Sequence, residues 1–163
     1  MGDELPSENL VHLDVRFSTK TGLKEFLDLL YEKSGQGVSF TGLLEAMLNE
    51  AAIVTAVHNV KSNKGSKTAG VDGVSMNRYL QMPRNELITL IQSTTANYKP
   101  KPVRKVYIPK CNGKRRPLGI PTMLDRFVQE CVRIILGPIC EARFCPHSYG
   151  FRPYRAQNTQ SVV

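Results

Sequence analysis

The sequence predicts an α+β domain in which several helices surround a small antiparallel β-hairpin, and three observations carry that expectation. Apolar residues recur at helical spacing through much of the 163-residue chain. One stretch, VRKVYI, instead mixes β-branched and aromatic residues, and a turn pair and a return segment follow it. The apolar fraction of 41% is that of a globular protein and too high for a disordered tail. The length suits one ordinary domain or a piece of a larger one.

Residues 1–20 are polar and without clear periodicity, and residues 1–40 read as an N-terminal extension that is partly disordered. Within it, Leu23, Phe26, Leu27 and Leu30 form a helical face that SGQG closes. A second helical pattern begins at Thr41 with Leu43, Leu44, Met47 and Leu48. Asn49 is placed to cap a third helix bearing Ile53, Val54, Val57 and Val60, in which His58 falls on the solvent side. The segment KSNKGSKTAGVDGVS holds three glycines and no large apolar residue before Val71, so it reads as a loop. Short helical patterns follow near 75–81 and 85–97, the second carrying Leu87, Ile88, Leu90 and Ile91.

VRKVYI is the first strand of the hairpin, Asn112-Gly113 its two-residue turn, and KRRPLGIP its return. Pro109 and Pro117 lack a ladder donor, which suits an edge hairpin rather than a central sheet. Thr122 can then cap a helix over 122–136 with Leu124, Phe127, Val128, Cys131, Ile134 and Ile135 on one face. The other face shows Asp125, Arg126, Gln129, Glu130 and Arg133. Gly137-Pro138 is expected to end this helix, with a short one beyond it through Ala142.

Charge is distributed unevenly. Residues 1–50 hold nine acids and four bases, a net of −5, whereas residues 51–163 hold five acids and eighteen bases, a net of +13. No Asp or Glu occurs between Glu86 and Asp125. A field so lopsided favours a polyanion, of which nucleic acid is the commonest; the plain alternative is a solubilising surface. The four cysteines, Cys111, Cys131, Cys140 and Cys145, form no CxxC pair and have no histidine at zinc-finger spacing, so they read as reduced thiols of a cytoplasmic protein. The acidic start MGDELPSENL has no apolar core of the kind a signal peptide needs, and no stretch approaches a membrane span.

The motifs come in a definite order: NKG…GVDG, then YKPKPVRKVYIPK, then KRRPLGIPT.LDR, then HSYGFRPYR. In this order and spacing the chain resembles the N-terminal part of group II intron-encoded reverse transcriptases, or maturases, over roughly residues 43–160. The resemblance implies the fingers of a right-hand polymerase over 41–148 and the start of the palm, truncated, over 149–163. It implies that the hairpin folds over incoming nucleotide and template, with Arg104, Lys110 and Arg116 at positions that contact the triphosphate or the template end. A triphosphate needs cationic donors held rigidly, and a hairpin fixes them better than a floppy tail. Ile120 and Pro121 match positions beneath the templating base pair; from the residues alone they are ordinary hairpin core. NKGSKTAGVDG matches a loop that lies over the template, where Lys61, Lys64 and Lys67 suit phosphate. Lys99, Lys101, Lys105, Lys114 and Arg115 are less specific candidates for RNA phosphate or for solvent. In GFRP, Arg152 is expected to be structural, pairing with backbone carbonyls.

Nucleotidyl transfer of this kind needs two Mg²⁺ ions held by aspartates, one of them in a Tyr-x-Asp-Asp turn. The five aspartates here, Asp3, Asp14, Asp28, Asp72 and Asp125, include no adjacent pair, and none follows GFRP. The chain is therefore expected to bind no Mg²⁺ itself and to be inactive alone. As part of a complete enzyme it would work with Mg²⁺, deoxynucleoside triphosphate, DNA primer, RNA template and intron RNA, and it would need the polymerase's C-terminal half. The alternatives are a stand-alone basic RNA-binding module or a decayed remnant. The first of these needs a self-sufficient core, whereas the helix over 122–136 is expected to pack on a palm.

Overall fold

The computed structural model describes residues 10–145, 147–150 and 152, and its helices gather around the one that follows the hairpin. The element order is β1 (Leu10–His12), α1 (Lys20–Gly35), β2 (Ser39–Thr41), α2 (Leu43–Leu48), α3 (Glu50–Ser62), a 3-10 helix (Lys64–Lys67), α4 (Met76–Leu80), α5 (Arg84–Ala96), β3 (Arg104–Pro109), β4 (Arg115–Ile120) and α6 (Met123–Arg143). Two small sheets result: β1 pairs parallel with β2, and β3 pairs antiparallel with β4.

Helix α6 is the axis of the body, packing against α1, α2, α3 and α5. Its apolar face, Met123, Phe127, Cys131, Ile134 and Ile135, is buried in one core with Leu30, Ile53 and Ile91. Phe127 meets Tyr79 of α4 edge to face, ring centroids 5.3 Å apart. This corrects the expectation that α6 awaits a palm to cover it: helices before it in the chain already do so. The correction extends to its length. Pro138 lies inside α6 rather than beyond its end. An interior proline costs about 3 kcal/mol, but the turns after it are anchored. Ile139 packs on the core, and the buried Ser34 hydroxyl donates to the Ile139 carbonyl at 2.8 Å. Arg143 then donates to Ser34 Oγ at 3.0 Å and to the Val38 carbonyl at 2.6 Å.

The boundary expected at residue 40 does not appear in the packing. Leu13, Leu23, Phe26 and Leu30 belong to the same core as α6, and Phe17 stacks on Phe26 with centroids 4.7 Å apart. Asn49 explains how residues 13–17 are held. Its side-chain oxygen caps α3 by accepting from the Ala51 N–H at 2.9 Å, while its amide nitrogen donates to the carbonyls of Val15 and Phe17 at 3.0 and 2.8 Å. The cap was legible in the sequence and the tether was not. Residues 1–9 and the greater part of the palm segment, including Phe151 and Pro153 of GFRP, lie outside the described residues.

Candidate nucleotide and RNA interface

Strands β3 and β4 make their main contacts with each other rather than with the helices, so the hairpin stands out from the body. Tyr107, Leu118 and Val103 are left exposed. Its turn differs from the two-residue form expected. The Lys110 N–H donates to the Lys114 carbonyl at 2.7 Å, and the Gly113 N–H donates to the Lys110 carbonyl at 3.0 Å. Cys111 and Asn112 therefore occupy the centre of the turn, and Gly113, at φ +75°, supplies the left-handed residue of a bulge. Glycine is used here because a side chain at positive φ is strained.

The register decides which cations stand together. Arg104 pairs with Ile120, Val106 with Leu118 and Ile108 with Arg116. Paired residues share a face and alternate positions repeat it. One face thus carries Arg104, Lys110, Lys114 and Arg116 around an apolar strip of Val106, Ile108, Leu118 and Ile120. The opposite face carries Lys105 and Arg115 with Tyr107 and Pro117; the Lys105 ammonium lies 5.8 Å from the Tyr107 ring centroid. Lys110 is diagonal to Arg116, not opposite it. Arg104 and Lys110 lie about 20 Å apart along the strand, at ~3.3 Å per residue. All these cations are exposed, and among the described residues the side chains of Arg104, Lys110, Lys114, Arg115 and Arg116 make no hydrogen bond or ion pair.

The root of the hairpin is held by the first turn of α6. Thr122 Oγ1 accepts from the Asp125 N–H at 3.2 Å and donates to the Asp125 carboxylate at 2.5 Å. Asp125 was expected on the solvent face; it is buried, because its carboxylate is taken up by this cap. Tyr98, on the approach to β3, lies near the same carboxylate. Partial burial, then the nearby Asp125 carboxylate, raises the Tyr98 phenol above its ordinary range. Pro121 and Ile120 are half-buried beside Thr122.

The lysine loop closes against this root. Lys61 lies in the last turn of α3, Lys64 and Lys67 lie on the 3-10 helix, and all three are exposed. Behind them Arg126, also expected to face solvent, donates to the carbonyls of Gly65 at 2.9 Å, Thr68 at 2.8 Å and Pro121 at 3.1 and 3.2 Å. Burial, then the nearby Arg104 charge, lowers the Arg126 pKa from its ordinary value. Lys99 and Lys101 are exposed on the segment between α5 and β3. The structure therefore joins the loop, the hairpin root and Arg104 and leaves Lys110 and Arg116 towards the tip. The residues that sequence reading missed, Asp125 and Arg126, stand in the quoted LDR motif, the one signal that could have marked them.

Arg152 lies by the C-terminal end of α6. It donates to the Glu141 carboxylate at 2.6–3.1 Å and to the carbonyls of Cys145 and Ser148 at 3.0 and 2.9 Å. Its guanidinium also sits 5.3 Å from the Phe144 ring centroid. It is a structural residue, as expected.

Known proteins share this stretch. Protein YkfC of Escherichia coli is 45% identical over 116 residues, which is 67% of this chain and 28% of that protein. The group II intron-encoded protein LtrA of Lactococcus lactis is 40% identical over 121 residues, covering 74% of this chain and 20% of its own length. The putative COX1/OXI3 intron 1 protein of Saccharomyces cerevisiae is 34% identical over 140 residues, 83% of this chain and 16% of that protein. No family model matches the chain. The chain belongs with the group II intron-encoded proteins, the reverse transcriptase and maturase family, and spans between 16% and 28% of the length of these three relatives. Among the described residues no helix is long and apolar enough to cross a membrane.

Proposed function

We propose that this chain is the fingers part of an RNA-directed DNA polymerase and splicing cofactor. The loop over 61–75 holds RNA template or intron RNA, and the hairpin meets the incoming deoxynucleotide. The observation that carries this reading is the hairpin register, which places Arg104, Lys110 and Arg116 on one face around an apolar strip ending at Ile120. A nucleotide offers the same pairing of chemistries, an anionic phosphate chain and an apolar base face, and exposed guanidinium and ammonium groups without partners among the described residues suit it.

Catalysis needs residues outside this stretch. Among the described residues no group of three His, Cys, Asp or Glu is placed to hold a metal ion. Fingers of this composition select and position; primer, Mg²⁺ and the C-terminal half belong to the complete polymerase. The test is RNA binding as a function of salt. Each neutralised phosphate contributes a log–log slope of about −0.7 to −0.9, so affinity should fall steeply between low and physiological salt. A flat dependence overturns the reading. Purified free of other polymerases, the chain alone should incorporate no labelled nucleotide.

A second reading has its own support. The core around α6 is closed by this chain's own helices, as a stand-alone RNA-binding module would require. Restoration of synthesis by a separately expressed C-terminal half favours the polymerase part; RNA binding that such a half neither changes nor joins favours the module.

A further inference from the structure

The arrangement of Arg126 assigns it a task that neither the hairpin nor the loop performs. Its guanidinium donates four hydrogen bonds to three backbone carbonyls, from two places in the loop and from the hairpin exit. Two of those carbonyls, Gly65 and Thr68, are 61 and 58 residues away in sequence. No carboxylate takes part in these four bonds; the Asp72 charge acts on the guanidinium only through space. Gly65 and Thr68 are spaced so that a planar fork of donors reaches both at once while its inner edge takes Pro121. The consequence is a sorting of polarity. The negative ends of the loop's peptide dipoles are drawn inward to a half-buried cation, and Lys64 and Lys67 are left outward.

We propose that Arg126 is a positioning residue that sets the lysine loop against the root of the hairpin, so that RNA on the loop stands in a fixed relation to the nucleotide face. This rests on the RNA-binding reading above. It differs from a phosphate contact, because Arg126 spends its donors on protein carbonyls. It differs from a plain stabilising bond, because what it fixes is the place of one surface element relative to another.

The test uses the 163-residue chain with Arg126→Lys and Arg126→Gln, each also combined with Lys64→Ala. Two quantities are read, hydrogen exchange over residues 63–73 and affinity for a structured RNA at fixed salt. Arg126→Lys keeps the charge but replaces a planar fork of three nitrogens with a single point donor, and it carries the test where Arg126→Gln fails to fold. A positioning role predicts loop exchange faster by about tenfold or more, with α1 and α3 unchanged, as for release of a local unit. It also predicts an RNA affinity loss of about tenfold that lysine does not restore, and a Lys64→Ala effect that shrinks in the Arg126 variants, the signature of coupled residues. Full rescue by lysine would overturn the proposal in favour of a simple charge. Unchanged loop exchange, or strict additivity with Lys64→Ala, would overturn it as well. Wild-type chain with no affinity for RNA overturns the RNA-binding reading itself, and this role with it.

Discussion

Gly70 rests directly on the backbone of Thr122. A Cβ at position 70 would lie 2.7 Å from the Thr122 Cα, 2.8 Å from its nitrogen and 2.9 Å from the Pro121 carbonyl oxygen. The neighbouring atoms are main chain at the first turn of a buried helix, so they cannot swing aside. Glycine is what allows the loop over 61–75 to seat on the hairpin exit.

Gly70→Ala should therefore act as an overpacking change. Forcing a methyl group into such a contact costs typically about 1–3 kcal/mol. The expected outcome is a lower denaturation midpoint together with weaker RNA binding, since the displaced loop carries Lys64 and Lys67. An alanine variant with wild-type midpoint and wild-type affinity would mean that the loop is not seated there.

Thr122 offers a second test of the same root. Its hydroxyl both caps α6 and bonds the buried Asp125 carboxylate. Thr122→Ala removes a cap, worth about 0.5–2 kcal/mol, and strips a buried carboxylate of a donor, a further ~1–3 kcal/mol. Thr122→Ser keeps both bonds and should restore most of the loss. Urea denaturation of the two variants side by side separates hydroxyl from methyl.

The cysteines should divide into three reactive and one silent. Cys111, Cys140 and Cys145 are exposed, and Cys131 is buried. Burial, then the neighbouring Glu130 charge, pushes the Cys131 thiol from about 9 up to about 12. Near pH 8 an alkylating reagent, which attacks the thiolate, should label three sites in the native chain and the fourth only on unfolding. A thiol whose folded pKa is raised favours the folded state fully below its unfolded value. Its contribution to stability should be lost as pH rises from about 9 through about 12. Labelling of Cys131 at the rate of Cys111 would contradict the burial.

The hairpin and the loop should separate in kinetics once the fingers are part of a whole polymerase. Lys110→Ala or Arg116→Ala should raise KM for deoxynucleotides and slow incorporation while RNA affinity changes little. Losing one charge-assisted hydrogen bond at the nucleotide costs about 1.5–3 kcal/mol, roughly ten- to a hundredfold in rate. Lys64→Ala should weaken template binding and leave nucleotide KM near its wild-type value. Single-turnover incorporation across a nucleotide series distinguishes them. Equal RNA losses for Lys110→Ala and Lys64→Ala, with unaltered nucleotide dependence, would rule out the division.

The amino-acid sequence by itself determined what depends on short-range pattern. Apolar spacing marks the faces of α1, α3, α5 and α6, and Asn49 and Thr122 mark two helix starts. Alternation around a glycine-containing turn marks the hairpin, and the ordered motifs mark the family. Each of these is a relation among residues a few positions apart. What the tertiary structure decided rests on contacts that no local pattern records. Pro138 remains inside α6 because Ser34 and Arg143 tie the following turns to the end of α1. The turn became a bulged one because Lys110 bonds to Lys114, and this set the register that gathers Arg104, Lys110 and Arg116 on one face. Asp125 and Arg126 look like ordinary surface charges in the sequence. Asp125 is buried by a cap hydroxyl three residues before it, and Arg126 is half-buried because two of its three carbonyl partners, those of Gly65 and Thr68, arrive only when the loop closes on the helix; a hydrogen bond depends on distance in space, and chain separation does not encode it.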